Sequence, residues 1–260
     1  MRSIRPAVAA ATLASAALAA CMSAALAETS FEVDYVVTAR GFTVARANFT
    51  GTVTAGRYEV DGTLASAGLA RIFARTDATA RSAGSLSAEA ATPENFLLSY
   101  VQDGKPSRTE IVFSKGVAVT TTIEPPMPAP PGGTIPIGKG DLQSVADPVA
   151  ATIVARGGPD QVCGRTLRLY EGGTRVDVAL THSATGFVYG AGNHAVTCKG
   201  AFIPVAGMTR DNKSYEFMRA KADMEFVYVP AGSGLYLLHS VSAQTEIGRV
   251  QVRAWRKKVR

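Results

Sequence analysis

The residues best suited to acid–base or metal chemistry are three histidines. His182, His194 and His239 are the full histidine complement of the chain. No two of them form an HExxH motif or an i, i+4 pair, so the sequence predicts no helical zinc site. His182 and His194 flank one predicted hairpin and can approach each other there. We expect a histidine beside a turn to lie on the surface rather than to act as a ligand or base.

Acidic residues within predicted strands are a second source of chemistry. Glycoside hydrolysis needs a pair of carboxylates on either side of the scissile bond. Strand alternation directs most of these side chains to solvent, so a catalytic pair is the least favoured interpretation. The residues concerned are Glu110, Asp177, Asp223, Glu225 and Glu246.

The sequence lacks complete motifs for nucleophilic catalysis and for nucleotide binding. The chain has no GxSxG elbow and no SxxK motif. Gly133–Lys139 has the spacing of a phosphate-binding loop, but Gly140 stands where a Ser or Thr would hold magnesium. The sequence therefore predicts no catalytic, cofactor-binding or metal-binding residue and no cofactor. Whether the protein is an enzyme stays open, and a non-enzyme is favoured.

The first 27 residues have the layout of a secretory signal peptide. Arg2 and Arg5 precede an uncharged, alanine-rich stretch, and Ala25-Leu26-Ala27 is a small-x-small site before Glu28. We expect cleavage between Ala27 and Glu28 and a soluble periplasmic protein. Two alternatives stay open: a lipoprotein anchored through Cys21, and an uncleaved membrane anchor.

Composition and cysteine usage fit an exported globular domain. The chain is 47% hydrophobic, which argues against disorder, and its net charge of +6 is too evenly spread to indicate nucleic-acid binding. Cys21 belongs to the leader, which leaves Cys163 and Cys198 as an even pair in an oxidising compartment. We predict a disulfide between them; two buried free thiols are the alternative.

Apolar and polar residues alternate from Phe31 to Thr38, as in a half-buried strand. Glycine-containing turns such as Asp103-Gly104 separate further strand-like runs, including 161–170 and 215–229. The sequence predicts one all-β domain over residues 28–260, built of long curved antiparallel strands as a β-spiral, open barrel or sandwich-like fold. No second apolar span follows the leader.

Two segments interrupt this pattern. Residues 124–140 are rich in Pro and Gly and predict a surface loop. One short helical crossover is expected at about 141–155, capped by Asp141 and kinked or split at Pro148.

The C-terminus is strongly basic. Cationic side chains surround Trp255, and they suit either contact with anionic lipid headgroups or a solvated tail that shields the last edge strand; the tail is favoured. The residues are Arg253, Arg256, Lys257, Lys258 and Arg260.

The chain resembles the bacterial family known as domain of unknown function 3108. The likeness spans about residues 31–182, fades after that, and rests on turn and core positions rather than on chemistry. The positions are Phe31 to Tyr35, Gly41, Ser66 to Leu69, Phe73, Gly84, Pro93, Tyr100, Gly104, Arg108, Asp147 and Pro148. The resemblance implies an envelope protein with no catalytic residues to carry over. More remotely, the chain is similar to envelope-integrity proteins of the EipB type, which form a curved β-spiral.

The favoured hypothesis is a periplasmic protein that binds a lipid or glycolipid in an apolar cleft and supports envelope integrity. The alternatives are a structural partner in an envelope protein complex and, least favoured, a cell-wall or glycan hydrolase. The sequence does not decide the oligomeric state.

Overall fold

The structure is a computed structural model that describes residues 28–68, 71, 75–87, 90–232 and 234–260. The predicted leader, the residue Ala27 before the cleavage site and the lipidation candidate Cys21 lie outside the described residues, as does part of the segment 69–74.

The described residues form 14 strands and three short α-helices. The strands are β1 Thr29–Ala39, β2 Phe42–Thr54, β3 Arg57–Ser66, β4 Thr76–Leu86, β5 Ala91–Gln102, β6 Lys105–Ser114, β7 Val117–Glu124, β8 Val154–Arg156, β9 Thr166–Tyr170, β10 Arg175–Val188, β11 Gly192–Ala206, β12 Met224–Pro230, β13 Leu235–Thr245 and β14 Gly248–Val259. The helices are α1 Pro148–Ile153, α2 Pro159–Cys163 and α3 Lys213–Lys221, with a 3-10 turn at Lys139–Leu142.

All the strands belong to one antiparallel sheet, as the all-β prediction requires. Its order is β7-β6-β5-β4-β3-β2-β1-β14-β13-β12-β11-β10-β9, and β8 pairs with β13 off this path. The first and last of the described strands, β1 and β14, are therefore neighbours in the middle of the sheet. The prediction of a solvated C-terminal tail beside an edge strand is wrong, because β14 pairs with β1 as far as Val259.

Tight two-residue turns connect β1 to β2, β2 to β3, β5 to β6 and β6 to β7, and set the register of these pairs. Arg40 and Gly41 both have positive φ, and so do Asp103 and Gly104. Two successive residues with positive φ match the right-handed twist of the flanking strands. The predicted hairpin turn at Asp103-Gly104 is confirmed.

The sheet curls, and strands that are not paired with each other come into contact. The Tyr35 hydroxyl on β1 donates to the Leu238 carbonyl on β13 over 2.6 Å. At the two free edges, the Tyr170 hydroxyl on β9 lies 3.1 Å from Oγ1 of Thr121 on β7. These contacts give the sheet the open, barrel-like curvature expected from the sequence.

The main hydrophobic core lies on the concave face of β1 to β7. Phe31, Val33 and Tyr35 alternate inward along β1 and are buried, as the period-2 pattern predicts. Val145 and Val149 of the segment after β7 pack into the same cluster. This segment closes one end of the curved sheet.

The helical crossover is shorter than the predicted 141–155. Pro148 begins α1 instead of kinking a longer helix, because a proline at the first helical position loses no hydrogen bond there. Asp147, and not Asp141, caps this helix: its Oδ1 accepts from the backbone amides of Val149 and Ala150 at 2.9 Å each.

Two predicted strands are partly helical. The predicted strand 161–170 begins within α2 and becomes β9 only at Thr166, and 215–229 begins within α3 and becomes β12 at Met224. Asn212 caps α3 by accepting from the Tyr215 amide over 3.2 Å.

Cys163 of α2 and Cys198 of β11 are joined by a disulfide, with their Cα atoms 5.3 Å apart. Both side chains are buried in a second core cluster with Val178, Val196 and Tyr228. The bond fastens the short helix to the face of the second half of the sheet.

We expect reduction of this disulfide to lower the free energy of unfolding by about 3–4 kcal/mol, because the bond closes a loop of 35 residues. Guanidinium unfolding of oxidised and reduced protein measures the difference. Thiol labelling of the unfolded, non-reduced protein is the control, and should leave Cys163 and Cys198 unmodified. Labelling of both residues would show that the bond is absent.

Candidate functional site: an apolar cavity in the curved sheet

A large recess in the described part of the protein lies on the concave face of β1 to β6. Its volume is about 920 Å³. Cross-strand pairing puts one inward-facing residue from each strand in a line across its wall, which we call the cavity row. The cavity row is Tyr35, Ala47, Leu64, Ala78, Tyr100 and Ser107.

Small side chains in the cavity row create the space. Ala47 and Ala78 lie between larger neighbours, so the concave surface is hollow at these positions instead of filled. The floor beside them is tightly packed: Phe49 meets the Tyr35 ring edge-on at 5.9 Å and covers the position where Gly62 lacks a side chain. A larger residue than glycine at position 62 would displace this ring.

A buried polar network secures the closed end of the curved sheet. The Ser82 hydroxyl on β4 donates to Oδ2 of Asp147 over 2.7 Å, and the Tyr58 hydroxyl on β3 lies 3.1 Å from Ser82 Oγ. Burial raises the pKa of the Asp147 carboxyl to about 6, against the lowering effect of its hydrogen bonds. The network ties the cap of α1 to the sheet.

The open end of the cavity continues into a second recess of about 570 Å³. Tyr100 and Ser107 line both spaces. Pro125 and Met127 of the predicted Pro/Gly-rich loop form part of the second wall, so this loop shapes the recess. Charged residues, among them Arg46 and Arg108, come from positions that flank the cavity row.

The structure does not bring the three histidines together. In the hairpin β10–β11, His182 lies opposite Cys198. His194 lies closer to the hairpin tip, next to Ala195, which is opposite Gly186. The two histidine rings are therefore separated along the length of the hairpin. Both are exposed. His239 is buried on β13, and burial together with the nearby charges of Lys257 and Arg253 lowers its pKa.

The predicted strand carboxylates are engaged in ion pairs or exposed. Asp223 and Glu225 lie on either side of Lys199, at 3.5 and 3.2 Å, and Asp223 also pairs with Arg249. The hydrogen bond from Arg249 and the charge of Lys199 hold the pKa of Asp223 below its usual value, which does not suit a general acid.

The other three are also outside the cavity. Glu110 pairs with Arg108, Asp177 pairs with Arg175, and Glu246 accepts a hydrogen bond from Ser214. Within the described ranges, no three His, Cys, Asp or Glu side chains are grouped so as to hold a metal ion.

The burial of two polar residues, Asp147 and Arg175, is not predicted by the sequence. Asp147 is recognisable only as part of the Asp147-Pro148 pair in the family resemblance. Arg175 is buried and donates from Nε to the Asp141 carbonyl over 2.8 Å, which fastens the crossover to β10. No local sequence pattern distinguishes Arg175 from a surface arginine.

No described helix is both long enough and apolar enough to cross a membrane. No curated protein sequence matches the chain. The fold is similar to that of a solved structure described as a beta-barrel-like protein of domain of unknown function DUF1849 from Brucella abortus. The TM-score is 0.51 at 10% sequence identity, covering 90% of this chain and 98% of that one. This similarity concerns the fold alone and is consistent with the EipB-type fold expected from the sequence.

The family model described as "Protein of unknown function (DUF3108)" matches residues 30–253. The match runs well beyond residue 182, where the resemblance in the sequence fades, and includes the first half of β14. The chain therefore belongs to the DUF3108 family.

Proposed function

We propose that this protein is exported to the periplasm and binds the acyl portion of an envelope lipid or glycolipid in the cavity described above. The observation that carries the proposal is the largely apolar cavity of about 920 Å³ that the cavity row lines. Its volume falls in the range of small-molecule sites, which are typically concave and mostly apolar.

The distribution of polar groups favours an amphiphile over a fully apolar ligand. Leu64, Ala78 and Ala47 offer no hydrogen bonds from their side chains, so they suit a hydrocarbon chain. The hydroxyls of Tyr100 and Ser107, at the open end of the cavity row, can contact a polar headgroup. A role in envelope integrity would follow from holding such a lipid.

Two further features support export. Residues 1–27 have the signal-peptide layout, and the domain from residue 28 onward carries a disulfide that an oxidising compartment favours. We assign the processed chain as one domain. This holds both for a soluble protein cleaved after Ala27 and for a lipoprotein anchored through Cys21.

The two alternative functions have less support. The outer edge of β7 faces β9, where Tyr170 lies against Thr121, so this edge is not open to a strand from a partner protein. The predicted strand carboxylates lie in ion pairs or at exposed positions, which gives no support to a hydrolase.

Native mass spectrometry tests the proposed function. We expect protein isolated from the periplasmic fraction without detergent to carry a lipid-sized adduct that organic extraction releases. An exported protein of similar size from the same fraction is the control. A bare protein mass, with no lipid in the extract, would contradict the proposal.

A further inference from the structure

A small recess lies at the closed end of the curved sheet, where β5 to β7 come close to β9. Its volume is about 290 Å³, and it shares no lining residue with the cavity of about 920 Å³. Its walls come from the turn between β6 and β7, the start of β5, residues 144–146, α1 and residues 165–168. The recess is therefore a separate space that both halves of the sheet enclose.

Backbone hydrogen bonds hold these walls together. The Val145 amide donates over 3.0 Å to the carbonyl of Gly116, in the turn between β6 and β7. The next amide, that of Ala146, donates over 2.8 Å to the carbonyl of Arg168 on β9. The turn that carries Lys115 and the strand that carries Arg168 are therefore fixed on either side of one short segment.

Three cationic residues line this space, which we call the basic recess: Lys115, Arg165 and Arg168. Of the described residues that line it, none is acidic. Within the described ranges, no carboxylate lies within ion-pair distance of any of the three cations. Asp177, which is opposite Arg168 in the β9–β10 ladder, pairs with Arg175 instead. The basic recess therefore has an excess of positive charge.

Arg165 is the most buried of the three cations. Its Nε donates to the Val162 carbonyl over 3.1 Å, and its Cζ lies 6.0 Å from the centre of the Tyr228 ring. Its Nη2 is buried and has no hydrogen-bond partner among the described residues. Burying a charged donor without a partner costs free energy. An anion in the recess that Arg165 lines would supply the missing counter-charge.

We propose that the basic recess binds a phosphate group. A phosphate monoester carries close to two negative charges and has three strong acceptor oxygens, so it balances three cations better than a single carboxylate does. Arginine and lysine both suit phosphate recognition, and their long side chains can bring charges from separate walls to one ligand in so small a space. Thr92, Ser144 and Thr166 also line the recess and can offer hydroxyl donors.

The size of the basic recess limits the molecule that carries the phosphate. A volume of about 290 Å³ lies at the lower limit for small-molecule sites. The space suits phosphate itself or a phosphate on a short polar group such as glycerol, and it does not hold acyl chains as well. The phosphate therefore belongs either to a free phosphorylated molecule or to a lipid headgroup whose chains lie outside the recess.

Isothermal titration calorimetry with inorganic phosphate tests the proposal. We expect the processed protein to bind phosphate saturably, and sodium chloride at the same ionic strength to give no saturable signal. The variant Lys115→Gln/Arg168→Gln should weaken phosphate binding by about tenfold or more, because each charge-assisted hydrogen bond that is lost lowers the affinity by about that factor. Arg165→Gln, which removes the partly buried cation alone, should weaken binding by a similar factor.

The matched control is Lys213→Gln/Arg219→Gln. It also removes one lysine and one arginine, from exposed positions on α3 that do not line the recess. The phosphate affinity should change by less than about twofold, because distant exposed charges are screened. Thermal unfolding checks that each variant is folded. Absence of saturable phosphate binding, or equal losses for the two double variants, would overturn the proposal.

Two further probes identify the source of the phosphate. Glycerol 3-phosphate represents a free phosphorylated molecule, and monomeric dihexanoyl phosphatidic acid represents a lipid headgroup. Tighter binding of the phosphatidic acid assigns the headgroup, provided that the Lys115→Gln/Arg168→Gln variant loses the gain. Equal binding of the two probes assigns a free molecule, and either result supports a phosphate site.

The phosphate proposal and the lipid proposal can fail separately, because the basic recess and the cavity have no lining residue in common. Protein that carries no lipid adduct but binds phosphate would refute the lipid proposal alone. Protein that carries lipid but has no affinity for phosphate would refute the phosphate proposal alone.

Discussion

Replacing Ala78 by tryptophan should remove bound lipid from the protein, whereas the same replacement at Ser85 should not. Ala78 faces the cavity between Leu64 and Tyr100, so an indole there occupies the space assigned to the acyl chain. We expect the amount of lipid recovered per protein to fall at least tenfold, because a filled cavity offers no apolar volume for the ligand.

An exposed position farther along the same strand provides a matched control. Ser85 lies on β4, points to the opposite face and does not line the cavity. Lipid extracted from the two variants and from the unmodified protein is quantified by mass spectrometry, and thermal unfolding checks that both variants are folded. If folded Ala78→Trp protein keeps its lipid, the ligand does not occupy this cavity.

We expect Asp147→Ala to produce the largest loss of stability among single substitutions at the closed end, about 2–4 kcal/mol. The carboxylate accepts from two backbone amides of α1 and from Ser82, and the side chain is fully buried. Removing it costs the helix cap and leaves buried donors without partners. Asp211→Ala, at an exposed site, should change stability by less than about 0.5 kcal/mol.

The same carboxyl gives a pH dependence with a definite sign. Its pKa is about 6 in the folded protein and about 3.8 without the fold, so the native state binds the proton more tightly. Between about pH 4 and pH 6 the contribution of this group to stability falls as pH rises, by about 3 kcal/mol in total, and it is constant above that range.

Asp147→Asn should abolish this slope and keep the helix cap, because the amide oxygen can still accept from the amides of Val149 and Ala150. Chemical denaturation of the unmodified protein and of both Asp147 variants at pH 4, 5, 6 and 7 measures these effects. Identical pH profiles for the unmodified and Asn proteins would contradict the assignment of the titration to Asp147.

Local patterns predicted the strands and turns that need only neighbouring residues. Alternation from Phe31 onward specified β1 and its buried face, and Asp103-Gly104 specified a tight turn because few residue types accept positive φ. The family resemblance also came from such turn and core positions. These features depend on backbone geometry that a short stretch of chain determines by itself.

The features that were predicted wrongly or not at all depend on tertiary contacts. The segment Lys213–Lys221 contains aromatic residues that favour strands, and its capping residue Asn212 was not weighed as a helix start. The burial of Asp147 and the central place of β14 depend on strands far away in the chain. The cavity likewise requires one residue from each of six strands, so no short motif identifies it.

The pairing of the first strand with the last has a consequence for synthesis. While the chain is being made, β1 has β2 on one side, and its other edge stays open until the final residues have emerged. An open strand edge is a template for association with other chains. Contacts between chain ends also form slowly, since the intervening chain must first be ordered. We therefore expect the nascent protein to depend on a holding chaperone until its C-terminus is released.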